Sequence, residues 1–145
     1  MQLLNDFSER LSELMFEHEL NTVKLALILN VSDVTIGRWK KGESSILLNN
    51  ALHIADYFEC SLQYLIGKTD KKLDFILHPH KPFYKRLRQI MAEHSITWYR
   101  IVKDGILSDN NISSWKNGTE PYLETVIDVA NYFGLTIDQL VGREN

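Results

Sequence analysis

The chain is predicted to be all-α, with two tandem five-helix domains joined by a short linker. Three observations predict this. The chain repeats itself, each copy carries apolar residues at helical spacing between capping signals, and no alternating strand pattern competes inside the copies. Sliding the sequence by 76 residues places Phe7, Arg10, Leu11, Met15, Glu17 and His18 on Phe83, Arg86, Leu87, Met91, Glu93 and His94. The same shift carries Ile36, Trp39, Lys40 and Gly42 onto Ile112, Trp115, Lys116 and Gly118. After one deleted residue the shift becomes 75, and Ala55, Tyr57, Phe58, Leu65 and Gly67 meet Ala130, Tyr132, Phe133, Leu140 and Gly142. Ordered identities of this extent indicate two copies of one small domain, residues 1–67 and 83–145, with 68–82 between them. Each copy is near the lower size limit for independent folding.

The elements follow in order. A first helix is expected from Asp6, where Asp6-x-x-Glu9 resembles a capping box and Phe7, Leu11, Leu14 and Met15 form an apolar stripe. Asn21 and Thr97 are suited to cap second helices running to about Leu29 and Asp104. Ser32 and Ser108 cap third helices that stop before Gly42 and Gly118, residues able to take a left-handed conformation. Fourth helices, about 46–58 and 122–133, turn Leu48, Leu52 and Ala55, or Leu123, Ile127 and Ala130, inward. The fifth are short, Ser61 to Ile66 and Thr136 to Val141, the latter opened by the capping box Thr136-x-x-Gln139.

The segment 68–82 reads as a linker, with charges at its start and Pro79 and Pro82 at its end. Leu73, Phe75 and Leu77 leave an apolar patch in its middle, of the kind that docks onto a neighbouring domain, a partner protein or a second copy in a homodimer.

Composition narrows the class of function. A hydrophobic fraction of 44% is that of a soluble globular chain. No apolar run is long enough to span a bilayer, and Asp6, Glu9, Glu13 and Glu17 interrupt any signal-peptide core. The single Cys60 excludes an internal disulfide framework, so a cytoplasmic location is expected. Net charge is −3, and residues 1–67 hold five basic and nine acidic side chains. That balance argues against tight non-specific binding to nucleic acid, which comes from Lys and Arg on phosphates, but an acidic protein can still gather its bases on one face. His78-Pro-His80 lacks the acidic or thiol partners a metal ligand set needs. With no phosphate-binding glycine loop and no convincing His/Cys/Asp constellation, neither an enzyme nor a cofactor is expected.

The segment from Asn21 to Gly42 carries a small residue, Ala26, where two helices would cross, a polar turn at Asn30, and apolar Val31, Ile36 and Trp39. With the trailing Lys40-Lys41-Gly42 and the later Ala55-x-Tyr57-Phe58 and Leu65-Ile66-Gly67, it resembles the Cro/repressor-type helix-turn-helix of the xenobiotic-response-element family. The second copy, with Trp115-Lys116-Asn117-Gly118 and Ala130-Asn131-Tyr132-Phe133, resembles it too, so the two matches cover nearly all of the chain outside the linker. The resemblance implies lambda-repressor-like domains and a sequence-specific regulator of bacterial or phage type that binds double-stranded DNA, most simply a repressor. In such a domain the third helix enters the major groove, where each base pair shows a distinct donor and acceptor pattern.

By that resemblance Asp33, Val34, Thr35 and Arg38 take the base-facing positions of the first copy. Arg38 is suited to guanine O6 and N7, and Val34 or the Thr35 methyl to a thymine methyl. Thr22, Lys40 and Lys41 are expected at phosphates. Asp33 has an alternative role as a first-turn acid that complements the helix dipole, and Thr35 as part of the cap. Gly37 lowers helix stability and marks a candidate close approach to DNA. Trp39, Trp115 and Cys60 read as core, and His18 and His94 as structural contacts.

The second copy departs from the pattern. Gly105 to Ile112 is one residue longer than the family spacing, Val102 replaces Ala26, and its third helix has no base before Lys116. Asn110 or Asn111 could read adenine, or both could serve the turn and cap. Arg100, Lys103 and Lys116 are expected to touch phosphates. The competing function is a protein-interaction module that keeps the helix-turn-helix folds as docking scaffolds, motivated by the acidic first copy.

Overall fold

In the computed structural model, which describes residues 2–145, every regular element among those residues is an α-helix. The chain divides into two compact units, Met1–Asp74 and Phe75–Asn145.

The first unit holds α1 (Gln2–Glu17), α2 (Thr22–Leu29), α3 (Asp33–Lys41), α4 (Leu48–Tyr57) and α5 (Leu62–Leu65). Helix α1 begins four residues ahead of the expected capping box, so Asp6 lies in its interior. Gln2, Leu3 and Leu4 are good helix formers with no breaker among them, and propagation reaches back through them. The other caps form as expected: Asn21, Ser32 and Ser61 accept from the backbone N–H of Lys24, Thr35 and Tyr64 at 2.8, 3.1 and 2.9 Å. Asn30, in the left-handed region at φ 56°, ends α2, and Gly42 at φ 69° ends α3.

The apolar stripes of these helices meet in one core. Phe7, Leu11, Leu14 and Met15 of α1 are buried with Leu25 and Leu29 of α2, Ile36 and Trp39 of α3, and Leu52 and Ala55 of α4. Each fully buried side chain of the larger kind contributes about 1.5–3 kcal/mol of transfer free energy, which is what holds helices this short in place. Cys60 is buried and belongs to no disulfide. Gly67 explains one of the repeated glycines: it sits at φ 79°, and a Cβ there would lie 2.9 Å from the Cβ of Asp6.

The stretch that follows α5 folds back onto the first unit. Arg10 donates to the carbonyl of Thr69 at 3.1 Å and to Asp70 at 3.0 Å, with its guanidinium 4.4 Å from the Tyr64 ring centroid. The Ser61 N–H donates to the Lys72 carbonyl at 2.7 Å. The Lys72 ammonium donates to Glu17, and this hydrogen bond raises its pKa above the ordinary lysine value.

The second unit holds α6 (Phe83–Glu93), α7 (Trp98–Lys103), α8 (Asp109–Lys116), α9 (Leu123–Phe133) and α10 (Ile137–Val141). Thr97 caps α7, and reciprocal capping boxes open α8 through Ser108 and Asn111 and α10 through Thr136 and Gln139. Leu87, Ile101, Trp115, Leu123, Val126, Val129 and Leu140 form the core. Ile127, expected inward, is half-buried, because Val126 and Val129 hold the inner face of α9. Residue Asn117, with ordinary backbone angles, caps α8, and Gly118 takes the positive φ of 98° one residue later.

Residues ahead of α6 are clipped to the end of this unit, with His78 and Lys81 donating backbone N–H groups to the carbonyls of Arg143 and Val141 at 2.8 and 3.0 Å. Arg143 is itself fully buried and pairs with buried Asp138 at 2.7 Å. Between the two clipped stretches lie residues 73–77. Leu73 is exposed, Phe75 and Leu77 are half-buried, and Ile76 is 82% exposed.

His18 packs on Phe58 at 4.9 Å between ring centroids, and His94 on Phe133 at 5.1 Å. The two histidines therefore make equivalent ring contacts within their own units.

Candidate nucleic-acid interface

Helix α3 is short, capped at both ends, and anchored by Ile36 and Trp39, which are 0% and 3% exposed. At 100° per residue, those two side chains define the inner face, and the residues opposite them are Val34, Gly37, Arg38 and Lys41. Val34 is 59% exposed, and Arg38 and Lys41 are exposed with no ion pair among the described residues. The bases Arg38, Lys40 and Lys41 in the last turn complement the negative end of the helix dipole.

The rest of the expected set falls on the flanks. Asp33 is exposed in the first turn. The Thr35 hydroxyl lies 2.8 Å from the Ser32 hydroxyl and its N–H is bound by the same oxygen, so Thr35 is part of the cap. Lys40 leaves the side of the helix, and its carbonyl accepts from the Ser8 hydroxyl, tying α3 to α1. Thr22 is half-buried at the first position of α2. Of the residues singled out, α3 thus brings Val34, Arg38 and Lys41 onto one outward face, and it sets Asp33, Thr35 and Lys40 beside it.

Helix α2 meets α3 through a three-residue turn, Asn30 to Ser32. Buried Ala26 supplies the carbonyl that accepts the N–H of Asn30 and of Val31. Two apolar side chains on α2, Val23 and Leu27, remain 53% and 79% exposed. The sequence reading did not single them out, although their i, i+4 spacing opposite Leu25 and Ala26 carried the signal.

The corresponding region of the second unit is built differently. Helix α7 ends at Lys103, two positions short of the residue matching Leu29, and five residues then lead to α8. Gly105, at φ 77°, absorbs the longer turn, so the extra residue changes the loop and leaves the α8 cap intact. Opposite Trp115 on α8 lie exposed Asn110 and Ser113, with half-buried Ser114 on the flank. Asn110 is exposed, whereas the Asn111 side chain accepts from the Ser108 N–H and hydroxyl, both at 3.0 Å. Ser113 and Ser114 were missed by sequence reading, yet the same rotation about the buried tryptophan finds them.

Two of the three expected phosphate ligands here have partners within the unit. Arg100 lies 3.5 Å from Asp104, which also accepts the Tyr132 hydroxyl at 2.7 Å and thereby raises the Tyr132 pKa above its ordinary value. The Lys103 ammonium sits 5.6 Å from the Tyr99 ring centroid. Lys116 is exposed at the end of α8.

Among the described residues no group of three or more His, Cys, Asp or Glu is arranged to hold a metal ion, and no helix is long and apolar enough to cross a membrane.

Residues 86–145 match the family model of the Cro/C1-type HTH DNA-binding domain. The matched stretch lies within the second unit and carries the likeness to a helix-turn-helix DNA-binding domain there. No curated protein and no solved structure matches the chain.

Proposed function

We propose that the protein is a sequence-specific transcriptional repressor of bacterial or phage type, acting in the cytoplasm through two tandem helix-turn-helix domains. In this reading domain 1 spans residues 1–67 and places α3 in the major groove. Domain 2 spans 83–145 and adds weaker reading through Asn110 and backbone contacts through Lys116, with 68–82 joining the two. The observation that carries it is the outward face of α3, where Arg38 and Lys41 stand free of internal ion pairs beside exposed Val34. A guanidinium with an open fork suits a guanine edge, a lysine nearer the helix end suits a phosphate, and valine suits a thymine methyl. The second unit, with Arg100 and Lys103 held internally, has less charge to offer phosphates.

Repression follows as the simplest outcome of occupying promoter DNA. The reading needs no catalytic step and no cofactor. Selection of sites from a random duplex pool tests it: an enriched sequence whose affinity falls with added salt supports it, and a pool that stays unenriched at low salt overturns it.

A second reading, a protein-docking module, is favoured by exposed Val23 and Leu27 and by the acidic balance of residues 1–67. It expects no DNA shift at any salt concentration.

A further inference from the structure

Between α6 and the start of α7 the second unit holds a cleft of about 280 Å³, lined by Arg88, Met91, Ala92, Ile96, Thr97 and Trp98. Arg88, Met91 and Ala92 share one face of α6, at positions i, i+3 and i+4. The turn brings the other three back to that face: Ser95 takes a positive φ of 55°, and the Ile96 N–H donates to the Met91 carbonyl at 2.9 Å. Met91 is buried and Ile96 half-buried, so the interior is apolar. A dry cavity of about 150 Å³ holds a benzene ring, so this space admits one ring or branched chain with a short tail.

Polar groups stand at the edge. Arg88 is exposed and makes no ion pair among the described residues, and its guanidinium lies 6.0 Å from the Tyr84 ring centroid. The Tyr84 ring lies parallel to the Trp98 indole, with 3° between the planes and 5.8 Å between centroids. One tyrosine therefore steadies both the cation and the indole. Thr97 caps α7 by accepting the Arg100 N–H at 3.1 Å, which leaves its hydroxyl hydrogen to donate to an acceptor in the cleft.

The internal repeat shows that these groups belong to the second unit alone. At the shift of 76, Arg88, Ala92 and Trp98 stand where the first unit has Ser12, Phe16 and Thr22. Arginine for serine supplies a cation, alanine for phenylalanine removes a ring from the rim, and tryptophan for threonine raises a wall. The charge of the surrounding surface also reverses, with Lys85 and Gln89 in place of Glu9 and Glu13. No acidic side chain precedes Glu93 on α6, so the cleft sits in a field that attracts an anion.

We propose that this cleft binds a small organic acid, its carboxylate on Arg88 and the Thr97 hydroxyl and its ring or branched chain against Met91, Ile96 and Trp98. A planar guanidinium suits a carboxylate, and the apolar interior selects against an acid that has no apolar body. The site is independent of the DNA reading, and its test leaves DNA out.

The experiment titrates benzoate, phenylacetate and isovalerate into the full chain and follows backbone amide signals, with acetate and the matching amides as controls. Saturable shifts centred on Arg88, Ala92, Ile96 and Trp98 are expected with at least one of the three acids and none with acetate. The matching amide should bind several-fold more weakly than its acid. Arg88→Gln, an exposed change, should remove that preference for the acid, and Trp98→Thr, which installs the first unit's residue, should weaken acid and amide alike. Lack of saturable shifts at millimolar concentrations of all three acids, or shifts centred elsewhere, would overturn the site. So would an equal response to acetate, or a preference for acid over amide that survives Arg88→Gln.

Discussion

The side-chain oxygen of Asn111 accepts from both the backbone N–H and the hydroxyl of Ser108, each at 3.0 Å. The Asn111 N–H returns to the Ser108 hydroxyl at 3.1 Å, so the two residues close the start of α8 on each other. A bidentate contact to adenine would require Asn111 to give up its half of this cap. Asn110, one residue earlier and exposed, makes no such commitment. Asn111→Ala is therefore expected to destabilise the second unit by about 1 kcal/mol, the usual worth of a cap, while Asn110→Ala leaves stability unchanged to within about 0.5 kcal/mol. Urea unfolding of the two variants checks this; equal stabilities would mean the box adds nothing.

Gly37 separates stability from binding. It stands on the outward face of α3, and a Cβ built there meets nothing within 4 Å. The fold has room for a side chain at this position, and the glycine weakens the helix. Gly37→Ala should raise stability by about 0.5–1 kcal/mol. If DNA approaches the helix at this gap, the same change should weaken specific binding. A variant that is more stable and binds unchanged would show that the gap faces solvent in the complex.

Much of this was legible because caps and apolar spacing are local. Asn21, Ser32, Ser61, Thr97, Ser108 and Thr136 all cap helices as their residue types suggest. The Asp6 capping box failed because a box is defined by where the helix starts, and nothing at Gln2 to Asn5 stops propagation. Thr35 and Asn111 were ambiguous for a related reason: a polar residue at the third helical position can face a ligand or its own N-cap, and geometry decides. Residues 69–72 and the Asp138–Arg143 pair were not legible. Their partners lie across a fold whose packing the local pattern does not specify.

The outward pair on α3 should behave as two different kinds of contact. Arg38→Ala is expected to cost about 1–3 kcal/mol on the preferred DNA and to relax preference at one base pair. Lys41→Ala should weaken specific and random DNA alike and make the salt slope shallower. Lys40, set on the flank of the helix, should show a smaller effect than Lys41. Binding isotherms at several salt concentrations separate these outcomes, and uniform weakening by Arg38→Ala would make that residue a phosphate contact.

Asp138 and Arg143 are both fully buried, 2.7 Å apart, at the start and just past the end of α10. Removing one partner leaves the other charge in the core, so Asp138→Ala should destabilise the second unit by about 3–5 kcal/mol. The positions that match in the first unit are Lys68 and the uncharged Gln63, joined by a backbone hydrogen bond of 2.9 Å, so no acidic side chain stands where Asp138 does. Gln63→Ala should accordingly cost far less. Chemical denaturation followed by unit-specific amide signals resolves the two effects, and similar losses would show that the buried pair adds little.

The proposed tandem arrangement makes a last prediction about the operator. Two unlike reading helices on one chain call for two unlike half-sites, about 10–11 base pairs apart, where identical subunits would impose a palindrome. The clipped stretches at 69–72 and 78–81 leave only residues 73–77 between them, a span of about 18 Å at full extension. With so short a tether the half-site spacing should be narrowly set. The half-site for the second unit, with Asn110 and Ser113 on the outward face of α8, should show the weaker consensus. Cleaving the chain between Leu73 and Leu77 should leave two folded halves with far weaker binding, because the second contact loses its effective concentration. Site selection returning a perfect palindrome, or a residues 1–74 fragment binding as tightly as the whole chain, would instead assign DNA reading to the first unit alone, as a homodimer.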